Sequence, residues 1–144
     1  MTFEIVLQTV REVMTPNPVT ISAQTSLTDA ARVMRDNNIG DVIVCDDSVP
    51  LGILTDRDIV VRAVATGSDN KNTTVGQVCS RDIVAVDPDD DLDRAVSLMR
   101  GQSVRRLPVV QDNQVIGIVS LGDIAIDHDP LSALADISMA TPNR

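Results

Sequence analysis

Apolar residues recur along the 144-residue chain in two rhythms. Leu27, Ala30, Ala31 and Met34 fall at i, i+3, i+4 and i+7, the spacing that lines one face of a helix. Ser26 stands where an N-cap belongs, with Asp29 three residues on. Leu92, Ala95, Val96 and Met99 repeat the stripe behind a second cap, Asp91. Between these helices run short, apolar, β-branched segments that predict strands: Val19–Ile21, Val42–Cys45 and Leu51–Leu54, then Val84–Val86, Leu107–Val110 and Ile116–Val119. Asp46-Asp47-Ser48 and Asp112-Asn113 supply the turns. Short helical lead-ins open each set at Thr9–Met14 and Thr74–Cys79, and further helices close them, over about 55–65 and 120–126. Pro108 has no N–H for a ladder, which predicts a strand at a sheet edge.

The two sets are copies. Laid against itself at an offset of 65, the chain matches residues 9–60 to 74–125 without a gap, with 14 identities in 52 positions. Met34-Arg35 falls on Met99-Arg100, Gly52-Ile53 on Gly117-Ile118, and Asp58-Ile59 on Asp123-Ile124. The expected organisation is repeat one over 9–65, a polar linker over 66–73, repeat two over 74–127, and a tail over 128–144 with a short helix at Pro130–Ala140. The fold expected is α+β, two β-α-β-β-α units with small mixed sheets. Neither unit is large enough to bury its own faces, so the two are expected to pack about a pseudo-twofold axis.

Charge narrows the function classes. Twelve Lys+Arg against 21 Asp+Glu leave a net −9, which repels nucleic-acid phosphates, and the single aromatic, Phe3, gives bases nothing to stack on. Cys45 and Cys79 are too few for a disulfide scaffold and suit a reducing cytoplasm. The first residues lack the basic start of a signal peptide, and no apolar run approaches a membrane span. Arg11, Arg32, Arg35, Arg57, Arg62, Arg81, Arg94, Arg100, Arg105, Arg106 and Arg144 make all but one of the cations, and arginine is the side chain that grips phosphate or carboxylate with a planar fork.

The chemistry-bearing signal is Gly52-Ile-Leu-Thr55-Asp-Arg-Asp58 beside Gly117-Ile-Val-Ser120-Leu-Gly-Asp123, each where a strand meets a helix. On these residues alone two readings stand. Thr or Ser at an N-cap with Asp at N3 forms a capping box and needs no ligand. The same junction offers N–H groups and a positive dipole end to an anion, with a carboxylate placed to accept from a vicinal diol. Other candidates fall short. Asp87–Asp93 has the odd spacing of a calcium loop, but Leu92 and Leu98 stand where its Gly and Glu belong. His128 with two cysteines falls short of a zinc set, and Cys45, Cys79, Met14, Met34 and Met99 read as core. No catalytic triad, Walker loop or histidine base is present, so no enzymatic activity is expected.

The duplicated unit, the start Val13-Met14-Thr15-Pro16, the run Arg105-Arg106-Leu107-Pro108-Val109 and both boxes together resemble paired cystathionine-β-synthase (CBS) domains, over about 9–127. That resemblance implies a regulatory module binding AMP, ATP or an S-adenosylmethionine-like ligand in two clefts between the repeats. It implies no required cofactor, a homodimer, and an effector protein as a further partner. Carried over by position, cleft A takes Thr55 and Asp58 with Asp82, Val84, Val104, Arg105 and Arg106. Cleft B takes Ser120 and Asp123 with Asn17, Val19 and Ile39, beside Gly40 and Asp41. Two arginines in A face Gly40 and Asp41 in B, so A is expected to favour phosphate and B to oppose it. The rival expectation is a structural or interaction dimer whose clefts stay empty.

Overall fold

The computed structural model describes residues 8–128; the tail helix expected at Pro130–Ala140 lies outside the described residues. The chain forms two compact units. Their borders differ from those of the sequence repeats, because each repeat's lead-in folds with the other repeat. One unit is Pro18–Ile83 with Asn113–Val115; the second takes residues up to Asn17, Val84–Asp112 and the segment from Ile116.

In the first-repeat unit, strand β2 (Thr20–Ser22) leads to helix α2 (Leu27–Asn37), then to strands β3 (Asp41–Asp46) and β4 (Val49–Thr55). The sheet order is β2-β3-β4, with β2 parallel and β4 antiparallel to β3, so the sheet is mixed. Ser26 caps α2 by accepting from the Asp29 N–H at 3.1 Å, and Asn38 ends it in a left-handed conformation at φ 55°. The helix buries Leu27, Ala30 and Met34 against Val42, Val44 and Leu54 of the sheet. Helix α3 (Asp56–Asp58) runs into a π-helix, Ile59–Val64, where the sequence predicts one continuous helix. Helix α4 (Val75–Val78) completes this unit's core with Val75, Val78 and Cys79.

The second-repeat unit has helix α5 (Leu92–Gln102), strands β5 (Arg106–Gln111) and β6 (Gln114–Ser120), and helix α6 (Leu121–His128). Asp91 caps α5 through the Arg94 N–H at 2.8 Å. Leu92, Ala95 and Met99 pack on Leu107, Val109 and Val119. Helix α1 (Val10–Val13) adds Val10 to this core, and strand β1 (Thr15–Pro16) pairs antiparallel with β6. The sheet order β1-β6-β5 puts β5 at the edge, where Pro108 predicts it.

The strand expected at Val84–Val86 does not form: Val86 makes one isolated parallel bridge, to Val109. Two prolines explain it. In the first repeat, Ile43 donates to the Val19 carbonyl at 3.4 Å and Ala23 to the Cys45 carbonyl at 3.2 Å. The matching positions are Pro108 and Pro88, neither with an N–H. Only the bonds around Val86 survive, to the Pro108 carbonyl and from the Val110 N–H, both at 3.0 Å.

Candidate functional site

Both boxes are built as the sequence predicts. β4 delivers Thr55 in extended backbone, and its hydroxyl accepts from the Asp58 N–H at 3.0 Å. Asp58 Oδ2 accepts in return from the Thr55 N–H at 3.0 Å, satisfying two of the donors a helix start leaves open. In the second repeat, Ser120 Oγ accepts from the Asp123 N–H at 3.0 Å, and Asp123 Oδ2 from the Ser120 N–H at 3.2 Å. All four residues are half-buried, which leaves the second carboxylate oxygen of each Asp outside the box.

Glycine makes these junctions. A Cβ on Gly52 would sit 2.2 Å from the Ser80 carbonyl oxygen, because β4 runs against the segment after α4 at the Ile53–Ser80 bridge. On Gly117 it would sit 2.5 Å from Met14 Sδ and 3.0 Å from the Thr15 carbonyl, where β1 lies on β6. So the glycine of each motif admits the lead-in exchanged from the other repeat.

The residues expected around the boxes divide between the units. With Thr55 and Asp58 lie Val19, Ile39, Gly40, Asp41 and an exposed Asp82. With Ser120 and Asp123 lie Asn17, held at φ 51°, Val84, Val104, Arg105 and Arg106. Each unit ties the start of its sheet to the start of its helix: Asp56 donates to the Gly40 carbonyl at 2.9 Å, and Leu121 to the Arg105 carbonyl at 2.8 Å. The cleft A set and the cleft B set of the resemblance therefore each draw residues from both units. Arg105, Arg106 and Asp82 are exposed, and Val104 is 39% exposed for an apolar side chain.

The surroundings are electrostatically unlike. A pocket of about 360 Å³ opens at Asp123, lined also by Glu12, Val13 and Ile126, so two carboxylates face it. At Asp58 the neighbour is a cation: Arg62 Nε stands 3.7 Å from Asp58 Oδ1, and Arg62 donates to the Val78 carbonyl at 3.2 Å. The sequence reading missed Arg62, though its place four residues after Asp58 on a helix was the available signal. A second pocket of about 300 Å³, on α2 beside Arg32, Arg35 and Asn70, is lined by none of the box residues.

The remaining candidates fold as structure. Cys45 and Cys79 are buried and unpaired, and burial pushes the Cys45 thiol above its ordinary pKa. Among the described residues no three His, Cys, Asp or Glu come together to hold a metal. The acids after Val86 form a turn, Asp90 Oδ2 accepting from the Asp87 N–H at 3.0 Å and Asp87 Oδ1 from the Asp89 N–H at 2.9 Å.

A family model described as the CBS domain matches residues 10–64 and again 75–126. The chain belongs to the CBS-domain family. It is 38% identical over 136 residues to the CBS domain-containing protein YhcV of Bacillus subtilis, covering 92% of this chain and 96% of YhcV. It is 35% identical to Hypoxic response protein 1 of Mycobacterium tuberculosis, over 93% of this chain and 94% of that protein. The crystal structure of that response protein, with two coordinated zinc ions, superposes with a TM-score of 0.78 at 34% identity, covering 84% and 99% of the two chains. The CBS domain pair of protein MJ0100, solved in complex with 5′-methylthioadenosine and S-adenosyl-L-methionine, gives a TM-score of 0.73 at 27% identity, over 83% and 94%. The first two relatives are thus CBS pairs with little chain beyond the pair. No helix among the described residues is long and apolar enough to cross a membrane.

Proposed function

We propose that this CBS pair is a non-enzymatic cytoplasmic sensor that takes up an adenine nucleotide or a related adenosyl ligand. The observation that carries the reading is the pair of reciprocal boxes, each with one carboxylate oxygen left for a ligand hydroxyl. The adenosyl complex of the MJ0100 pair supports the ligand class. In site A, Asp58 accepts from the ribose, Thr55 stands by the phosphate with Arg105 and Arg106, and the base lies between Val84 and Val104. In site B, Ser120 and Asp123 act with Asn17, Val19 and Ile39. The ligand biases the relative orientation of the repeats by binding one arrangement more tightly, and an effector protein reads the change.

The sites are unequal in this reading. A charge-assisted hydrogen bond from a well-placed arginine contributes roughly 1.5–3 kcal/mol. A carboxylate 4 Å from a phosphate charge costs about 4 kcal/mol at an effective dielectric near 20, before salt screening. Asp41, at the position that matches Arg106, therefore disfavours phosphate in site B, and Glu12 adds a second acid beside Asp123. The chain acts as a homodimer through its helical surface, where Val60, Val61 and Val64 are 58%, 47% and 54% exposed. Light scattering should then give about twice 15.4 kDa.

Calorimetry with AMP, ATP, adenosine and S-adenosylmethionine tests the reading. Arg106→Ala should weaken AMP and ATP more than adenosine. Asp58→Ala should weaken all three, and Asp123→Ala should spare most phosphate-dependent binding. Equal losses from Asp58→Ala and Asp123→Ala would remove the asymmetry. One observation favours the rival, an interaction dimer with empty clefts: in both boxes the hydroxyl and one carboxylate oxygen are already spent on amides of the helix start. No heat with any adenosyl ligand would decide for it.

A further inference from the structure

Asp58 is held by a hydrogen bond at one oxygen and faced by a cation at the other. Oδ2 accepts from the Thr55 N–H, which leaves Oδ1 the larger share of the lone pairs open to a ligand. Oδ1 is also the oxygen that Arg62 faces, at 3.7 Å, and the pair is lopsided: the Arg62 side chain is 52% exposed and that of Asp58 16%. Arg62 is itself anchored, donating through Nη1 to the carbonyl of Val78 at 3.2 Å. That carbonyl is one of those a helix end leaves open, at the close of α4, four residues before Asp82. That bond ties the guanidinium to the end of α4 as well as to the carboxylate. Arg62 lies in the π-helix, a geometry often found at functional sites, whereas the second repeat continues as an α-helix and has Asp127 at the matching position.

We propose that Arg62 is a positioning residue that biases the rotation of the Asp58 carboxylate so that its remaining lone pairs, on both oxygens, meet a vicinal diol, making the first site selective for ribose over 2′-deoxyribose. The inference rests on the sensor reading and adds the residue that sets its sugar specificity. A carboxylate pinned at one oxygen only can turn its second oxygen to a lone hydroxyl as well as to a diol. With a cation facing the second oxygen as well, it gains most when both hydroxyls are present, because the second donor finds an acceptor already aimed. A bare salt bridge of this exposure contributes little to folding, so its loss should be read at the ligand and not in the melt.

The test compares AMP with 2′-deoxy-AMP by calorimetry on the full chain, its Arg62→Gln variant and its Arg62→Lys variant, each checked for an unchanged melting curve. The unaltered chain should prefer AMP by roughly tenfold, the worth of one such hydrogen bond. Arg62→Gln should bring the ratio below about threefold while 2′-deoxy-AMP binds as before, and Arg62→Lys, which keeps the charge, should recover part of it. A variant that weakens both nucleotides equally, or keeps the full ratio, overturns the role of Arg62 and leaves the sensor reading standing. An unaltered chain that binds neither nucleotide overturns the ribose selectivity proposed for this site, and the sensor reading falls with it only when ATP, adenosine and S-adenosylmethionine also give no heat.

Discussion

Beside β3, the first repeat carries a parallel strand of three residues; beside β5, the second carries one bridge at Val86. The helices opposite these sheets are nearly interchangeable, each eleven residues long, capped by Ser26 or Asp91 and ended by a left-handed residue, Asn38 or Ser103. The two repeats thus differ where Pro88 and Pro108 drop a backbone donor from the ladder. They agree where side chains pack in each unit's own core, Leu27, Ala30 and Met34 in one being matched by Leu92, Ala95 and Met99 in the other. The boxes follow the same rule, alike in their caps and unlike in the charges around them.

The sharpest way to break the likeness is at the motif glycines. Gly52→Ala drives a methyl into a backbone carbonyl that cannot turn away, and should cost about 3 kcal/mol in urea denaturation. Gly117→Ala first meets the flexible end of Met14, so its cost should be nearer 1–2 kcal/mol. Equal costs would mean that the two lead-ins are held with the same rigidity.

Making the first sheet resemble the second comes next. Ile43→Pro removes the donor to Val19 and should destabilise by about 2 kcal/mol, through the stranded carbonyl and lost packing. Hydrogen exchange should show the protection of β2 amides falling while that of α2 persists. Loss of both together would show that the sheet and helix open as one piece.

The caps should give a smaller and symmetrical effect. Thr55→Ala and Ser120→Ala should each cost about 1 kcal/mol by thermal denaturation, since each breaks one hydroxyl-to-amide bond of 3.0 Å. Symmetry here beside asymmetry in nucleotide binding would separate the two jobs of the box. The smallest effect lies in the linker, where the Lys71 N–H and the Asn72 side chain hold the Asp69 carboxyl below its ordinary pKa. A lowered carboxyl pKa means that this turn is favoured at neutral pH and loses its contribution as pH falls through the lowered value. The Lys71 amide resonance should titrate below about pH 3.9, the ordinary Asp value. A midpoint at or above it would contradict the contact.

The helices were legible because period and cap coincide: an apolar stripe preceded by Ser26 or Asp91 specifies start, face and length together. The edge placement of β5 was legible from Pro108 alone. Its further consequence, the missing strand at Val84–Val86, needed Pro88 and Pro108 to be set against their partners in a parallel ladder, which one strand's pattern does not display. The π-helix has no sequence signature, and Ile59–Val64 reads as an ordinary amphipathic run. Arg62 was hidden for a related reason: its meaning depends on the Val78 carbonyl, 16 residues away. The exchanged lead-ins escaped too, since self-comparison of a chain reveals equivalent segments and not which copy each one folds with.

That exchange has a consequence for how the protein is made. Synthesis runs from the N-terminus, and a domain folds once its last contributing segment has left the ribosome. Helix α1 and strand β1 emerge ahead of the first repeat's sheet, yet their partners α5 and β6 follow only after that whole repeat and the linker. The unit holding Pro18–Ile83 gathers most of its chain early, while the opening segment waits, with Val10 and Met14 uncovered, for the second repeat. A gene fragment cut at the linker would encode one repeat in full and neither unit: the first half would lack α4 and its seal on Gly52, the second would lack β1. Duplication supplied two copies of a single pattern, and the crossing of their lead-ins means that neither copy carries every segment of the unit it builds.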